Sequence, residues 1–341
     1  MHRHLTVLEK TPKSEILTNT KKPAFNMSTK TLIKAAITVV MVAVVAFSIS
    51  FEKLLNTLSQ ISPATALIVI AGYTLGQLMS SVKWWTIARS GGINVPYTHA
   101  LKAYFIGMFV NCFGSGLGTV GGDVARGILI SDGLPKKTEG IAAVVADRIH
   151  GLTVLSVIAL FTSQCFGSDR VPGWILLALL GLIVGFISAW VLGPAVLRQL
   201  PKTNKIFAKL SQVAEIFPRD YKTLSIITGI SIVFHCTQIL LHAVMANAVG
   251  SQIPLATLFV VIPLVNIASS LPISWNGLGV RENSYMYFLT AAPSLVSNEQ
   301  AAAFGALWLL AVTVTSAIGG VVALVTGDLK LLRAQPKSTA V

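Results

Sequence analysis

Apolar residues along this chain come in long runs rather than in the alternations of a soluble domain. The runs fall at about 33–51, 64–86, 98–131, 141–165, 174–197, 224–249, 254–291 and 302–326, divided by short polar stretches. A membrane-crossing helix needs roughly 20 mainly apolar residues, so six of these runs predict one crossing each. The runs 98–131 and 254–291 are too long for one crossing. Both are broken by glycine, at Gly114-Ser-Gly-Leu-Gly-Thr-Val-Gly-Gly122 and at Ser274-Trp-Asn-Gly-Leu-Gly-Val-Arg-Glu282. Each predicts two shorter helices around a turn. The expected architecture is an all-α polytopic membrane protein with about six full spans and two re-entrant or hairpin segments. A polar tail (1–32) and a second tail (329–341) flank a single transmembrane domain over 33–328. Its halves run 33–165 and 174–326, and the second half includes an amphipathic loop at 198–222. Within that loop Ile206, Phe207, Leu210, Val213, Ala214 and Phe217 recur at helical spacing, which predicts an interfacial helix over 204–217.

Composition fits this pattern. Of 341 residues 53% are hydrophobic and 11% charged, against about 25% charged in a soluble domain. A soluble enzyme of this size is excluded, and glycine and proline without a period exclude a collagen-like chain. The run 33–51 is too long for a signal peptide's apolar core, so the first helix is expected to stay in the membrane. The net charge of +13 orients spans rather than suggesting nucleic acid, because the cations lie between apolar runs and lack interleaved aromatics. Arg3, Lys10, Lys13, Lys21, Lys22, Lys30 and Lys34 place the N-terminus inside. Lys83, Arg89 and Lys102 place the next loop inside. Arg198, Lys202, Lys205, Lys209, Arg219 and Lys222 do the same for the central loop, and Lys330, Arg333 and Lys337 for the C-terminus. The loops 52–63, 166–173, 250–253 and 292–301 carry few or no cations and are outside.

On this distribution segment 98–131 begins and ends inside, and segment 254–291 begins and ends outside. The halves then share one order of elements in opposite orientation, an inverted-topology repeat of the kind found in secondary transporters. Trp84 and Trp85 beside Lys83 suggest an aromatic anchor at the interface. Cys112, Cys165 and Cys236 lack the spacing of a zinc site or a disulfide framework. His235 and His242 share a helix face and are expected to be packed or cavity-lining imidazoles.

Charges inside a membrane cost roughly 2.5–3.5 kcal/mol each on insertion scales and mark function by default. Six qualify: Asp123, Arg126, Asp147, Arg148, Arg281 and Glu282. In Gly121-Gly122-Asp123-Val-Ala-Arg126 a helix restarting after Gly122 would put Asp123 and Arg126 on one face. Its free N–H groups, beside Arg126, would suit a phosphate. Asp123 would then cap the helix, balance Arg126, or receive a proton or cationic headgroup. In the second break Pro272 ends one half-helix, Gly277 and Gly279 make the turn, and Arg281 and Glu282 open the next. Ser274 and Asn276 are candidate caps. Asp147-Arg148-Ile-His150 lies within the fourth span, where Asp147 can pair with the first hairpin and His150 can relay protons. Gly116-x-Gly-x-x-Gly121 spells a dinucleotide fingerprint without its βαβ context and is set aside. No cofactor or metal is expected.

Three motifs resemble the family of lysylphosphatidylglycerol synthase transmembrane-region (flippase-like) proteins. They are Gly121-Gly-Asp-Val-Ala-Arg126, Asp147-Arg-Ile-His-Gly-Leu152, and Pro272 through Glu282. The resemblance covers about 33–328. It implies a multi-pass protein of the cytoplasmic (inner) membrane, with both termini cytoplasmic, that handles lipids. In two-domain relatives this region moves an aminoacylated lipid between leaflets, while a soluble domain attaches the amino acid. Aminoacyl transfer is not implied for this chain. Stand-alone relatives are linked to polyprenyl-linked sugar, glycolipid or hopanoid pathways. Family members usually have a proline shortly before the first motif, where this chain has Gly114-Ser115-Gly116, so the shape of the first turn does not carry over.

The expected function is ATP-independent translocation of a phosphate-containing lipid: a phospholipid, glycolipid or polyprenyl-phosphate lipid. Its binding residues would be Gly121, Gly122, Asp123, Arg126, Asp147, Arg148, Ser274, Asn276, Gly277, Gly279, Arg281 and Glu282. Two alternatives stay open. One is an intramembrane transferase with Asp123 or Glu282 as general base. The other is a non-catalytic partner of lipid or polysaccharide synthesis enzymes. Nucleic acid is not an expected partner.

Overall fold

The computed structural model describes residues 29–114, 118–131, 137–167, 171–199, 211, 214–290 and 295–328. Among these residues the regular structure is helical: α1 (Thr29–Ser48), α2 (Phe51–Ser59), α3 (Pro63–Ser90), α4 (Tyr97–Phe113), α5 (Gly118–Ile130), α6 (Lys137–Phe166), α7 (Gly173–Val191), α8 (Gly193–Gln199), α9 (Tyr221–Ala248), α10 (Leu255–Ser270), α11 (Val280–Thr290) and α12 (Asn298–Thr326). Helices α3, α6, α7, α9 and α12 are long and apolar enough to cross a membrane. A sixth span results if α1 is taken with α2, from which it is bent by 86°. The interfacial helix expected over 204–217 lies largely outside the described residues.

The boundaries follow local chemistry. Ser62 caps α3 through the Thr65 N–H, with Pro63 in the first turn. Asp220 caps α9 through the Thr223 N–H. Ser297 and Gln300 form a capping box at α12, which stops at Gly327 in a left-handed conformation. Outward faces are apolar: Phe47, Leu67, Phe161, Leu177 and Val325 all stand exposed, as side chains facing lipid would. Nearly the whole apolar window of α7 faces outward.

Both long runs fold back on themselves. In the first, His99 near the start of α4 bonds the carbonyl of Leu129 near the end of α5 at 2.9 Å, so the two helices are antiparallel. Their open end lies beside the end of α12, where Lys102 pairs with Asp328 at 3.2 Å. In the second, the Ser251 hydroxyl just before α10 donates to the carbonyl of Leu295 beyond α11 at 2.9 Å. That end lies beside the start of α12, where Gln300 donates to the Val249 carbonyl at 2.9 Å. The 29 residues of α12 separate these two ends by about 43 Å. The hairpins therefore open at opposite ends of the molecule.

Helix packing repeats the same relation. α3 packs on α9. α4 packs on α12 as α10 packs on α6, and α5 packs on α6 as α11 packs on α12. Exchanging α3 to α6 for α9 to α12 turns each contact into another that is present. Apolar packing concentrates at the two ends. One cluster gathers Met245, Leu258, Leu289 and Phe304. The other gathers Ile87, Ile106, Ile130, Ala146 and Ala323. The polar interior lies between them.

Candidate functional site

Between the two apolar clusters lies a cavity of about 470 Å³ lined from both halves. Asp123, Arg126, Asp147 and Arg148 reach it from α5 and α6, and Asn276 and Arg281 from the second hairpin. Two charged segments far apart in sequence thus share one chamber.

The first hairpin differs from the sequence expectation. Its second helix starts at Gly118, not after Gly122, so Asp123 lies inside the helix and is no N-cap. Nor is the Gly122 N–H free for a phosphate, because it donates to Asn111 Oδ1 at 2.8 Å. The glycines serve a close crossing instead. A Cβ on Gly122 would collide with the Gly107 carbonyl and the Asn111 side chain, and one on Gly107 would come within 2.8 Å of the Gly122 carbonyl. Gly121 is buried in the same turn of α5.

That crossing brings α5 against α6 and builds a chain of ion pairs. Lys83 Nζ lies 3.0 Å from Asp147 Oδ1, and Arg126 Nη2 lies 3.2 Å from Asp147 Oδ2. Arg126 Nε lies 3.3 Å from Asp123 Oδ1. Arg148 donates from Nε and Nη2 to the two Asp123 oxygens, both at 3.0 Å. The Arg126 guanidinium also lies over the rings of Trp84 at 5.0 Å and Tyr104 at 5.2 Å, which spreads its charge over aromatic faces. Asp123 and Arg126 share a helix face, and Asp147 pairs with the first hairpin, as their spacing suggested. Desolvating such groups is expensive and the pairing offsets only part of it, so the network reads as a site rather than as a source of stability.

Lys83 is not the loop cation that its place in the sequence suggests: α3 runs on to Ser90 and holds Lys83 in the interior with 6% of its surface exposed. Trp84 is wholly buried under Arg126 and is no interfacial anchor, while Trp85 donates to the Val95 carbonyl at 2.9 Å. The signal was present in α3, where Tyr73, Gln77, Ser80 and Lys83 repeat at helical spacing and line the cavity together.

The second hairpin largely follows its motif. α10 ends at Ser270, just before Pro272. Asn276, Gly277 and Gly279 adopt positive φ, and α11 opens at Val280. The cap is not the expected one. Ser274 forms no side-chain cap bond. Glu282 Oε2 instead accepts the Gly279 N–H at 2.6 Å, the reach-back half of a capping box. Glu282 and Ser274 are not among the residues lining the cavity. Helix α1 braces the tip. Trp275 N–H donates to Thr38 Oγ1 and Asn283 Nδ2 to the Met41 carbonyl, both at 2.9 Å. Among the described residues Arg281 makes no ion pair, and its Nε is buried without a hydrogen-bond partner. The lining thus carries four cations, Lys83, Arg126, Arg148 and Arg281, against two carboxylates. In a low-dielectric surround, two surplus positive charges attract an anion strongly.

The histidines divide. His235 lines the cavity. His242 bonds Tyr285 at 2.6 Å and packs on Trp308 with ring centres 4.4 Å apart. His150 turns away to Thr228 and Trp190, so it does not serve the ion network as a relay.

A profile of the family described as "Lysylphosphatidylglycerol synthase TM region" matches residues 31–320. A "UPF0104 membrane protein" of Pyrococcus horikoshii is 27% identical over 148 residues, covering 42% of this chain and 43% of that relative. The aligned part thus spans less than half the length of this curated relative.

Proposed function

This chain belongs to the lysylphosphatidylglycerol synthase transmembrane-region family, and we propose that it moves a phosphate-bearing lipid between leaflets without ATP. The observation that carries this reading is the cation surplus of a cavity lined from both hairpins. A phosphate supplies the charge that the two aspartates leave unmatched, and arginine forks suit its geometry. In this reading Arg281 and Arg148, the two arginines outside the tight Arg126–Asp147 pair, meet the headgroup first. Asp123 releases an arginine as the phosphate arrives. The acyl chains stay in lipid beside the apolar outer faces. Hairpins that open at opposite ends support access from either side by movement of one repeat against the other.

We place the protein in the cytoplasmic membrane with both termini inside. The positive-inside distribution supports this, because Arg89, Lys102, Arg198, Arg219 and Lys222 lie at the end where the first hairpin opens. We assign the transmembrane domain to residues 33–328.

The test is lipid transfer in reconstituted vesicles, read by quenching of a headgroup-labelled phospholipid. The wild-type chain should speed transfer, and Arg281→Gln and Arg148→Gln should each slow it by about tenfold or more. Wild-type rates in both variants would overturn the reading.

A further inference from the structure

Besides Arg281, the cavity lining holds two further residues with unpartnered polar atoms outside the ion network. On α9, His235 and Gln238 lie one turn apart and both line the cavity. Gln238 is 3% exposed, and neither its Nε2 nor its Oε1 has a hydrogen-bond partner within the protein. His235 is 8% exposed, and its Nε2 is likewise unpartnered. Buried polar atoms are nearly always paired, and an exception calls for an explanation. The cavity lining also holds the neutral hydrogen-bonding side chains Gln77, Asn266 and Ser270, while Lys83 is the cation nearest His235.

The carboxylates are already committed. Both oxygens of Asp123 hold arginines, and Asp147 holds Lys83 on one oxygen and Arg126 on the other. Glu282 uses Oε2 on the Gly279 N–H. An ammonium entering this chamber would meet four cations and displace an existing partner before finding a carboxylate.

We infer that the headgroup attached to the phosphate is an uncharged polyol, bound at Gln238 and His235, and that ammonium-bearing headgroups are disfavoured. The inference rests on the phosphate-lipid reading above. A carboxamide presents a donor and an acceptor side by side, and each hydroxyl of a polyol both donates and accepts. Adjacent hydroxyls therefore satisfy both ends of Gln238 at once. An ammonium donates only and leaves the Gln238 Nε2 and any protonated His235 nitrogen unpaired.

The test is equilibrium binding of the purified full chain to four lipids with the same acyl chains. Phosphatidic acid offers phosphate alone, phosphatidylglycerol an open polyol, phosphatidylinositol a ring polyol, and the lysyl ester of phosphatidylglycerol an ammonium. At least one polyol lipid should bind about tenfold tighter than the lysyl ester, and whichever binds better identifies the polyol. Gln238→Leu should bring the ratio of that polyol lipid to phosphatidic acid down toward one. Gln238→Glu, equal in size, should shift preference toward the lysyl ester. Wild-type binding of the lysyl ester as tight as that of both polyol lipids would overturn the inference alone, as would an unchanged ratio in Gln238→Leu. Failure of all four lipids, phosphatidic acid included, would overturn the phosphate-lipid reading and this inference with it.

Discussion

Arg126 of α5 meets Asp147 of α6 at 3.2 Å with both side chains more than nine-tenths buried. Asp147 also holds Lys83, so one carboxylate pairs with cations from two helices. Removing it leaves Lys83 buried and unmatched and Arg126 with Asp123 alone, which costs about 3–5 kcal/mol. Arg148 holds Asp123 through two bonds but has 43% of its side chain exposed, and its removal leaves Asp123 paired with Arg126, so it should cost less, about 1 kcal/mol. Asp147→Asn should therefore unfold far more readily in detergent than Arg148→Gln. Equal midpoints for the two variants would contradict the hierarchy.

Close helix crossings make a second prediction. Gly107→Ala and Gly122→Ala force α4 from α5 and should each cost about 1–3 kcal/mol. Gly181 and Gly185 of α7 have open space where a Cβ would stand, and alanine there should be neutral or raise stability by up to about 1 kcal/mol. Unfolding curves of the four variants decide the matter.

Glu282 distinguishes folding from binding. Its bond to the Gly279 N–H is a cap, so Glu282→Ala should lower stability by about 1 kcal/mol. Transfer by the folded fraction should fall far less than with Arg281→Gln. If Glu282→Ala instead keeps full stability and abolishes transfer, the carboxylate belongs to the site.

Acid should loosen the start of α9. The Thr223 N–H donates to Asp220 Oδ1 at 2.7 Å and holds that carboxyl below its usual range. The folded value is depressed, so the cap's contribution is complete above the ordinary carboxylate value of about 4 and is lost as pH falls through the lower folded value. Amide exchange at Thr223, corrected for its intrinsic rate, should quicken over that window and lose the response in Asp220→Asn. The same response in both proteins would exclude the cap as its origin.

Much of the fold was legible because lipid leaves a chain few options. Backbone groups must bond internally, so apolar runs became helices, and the loop cations alone required two hairpins of opposite sense. Pro272 and the glycines at 277 and 279 marked the second tip, because proline and positive φ have narrow uses. The first break misled because Gly122 answers a packing need, close approach to Gly107, rather than preceding a helix start. Lys83 is masked in the sequence because two tryptophans follow it directly and Arg89 lies six residues on, which mimics an interface. Gln238 escaped because a single amide carries no charge, and only the fold shows that α9 turns it inward beside Gly76.

The right angle between α1 and α2 sets a height. An amphipathic helix perpendicular to a span suits the membrane surface; with α2 so placed, α1 would hang beneath it. Thr38, which bonds the hairpin tip at Trp275, lies ten residues before Ser48, about 15 Å lower. That is half the hydrocarbon thickness. On that placement the second tip would be moored to one leaflet's surface, like a plumb line from a raft. In a thicker or thinner bilayer it would keep its distance from that surface, while its distance from the opposite one would change.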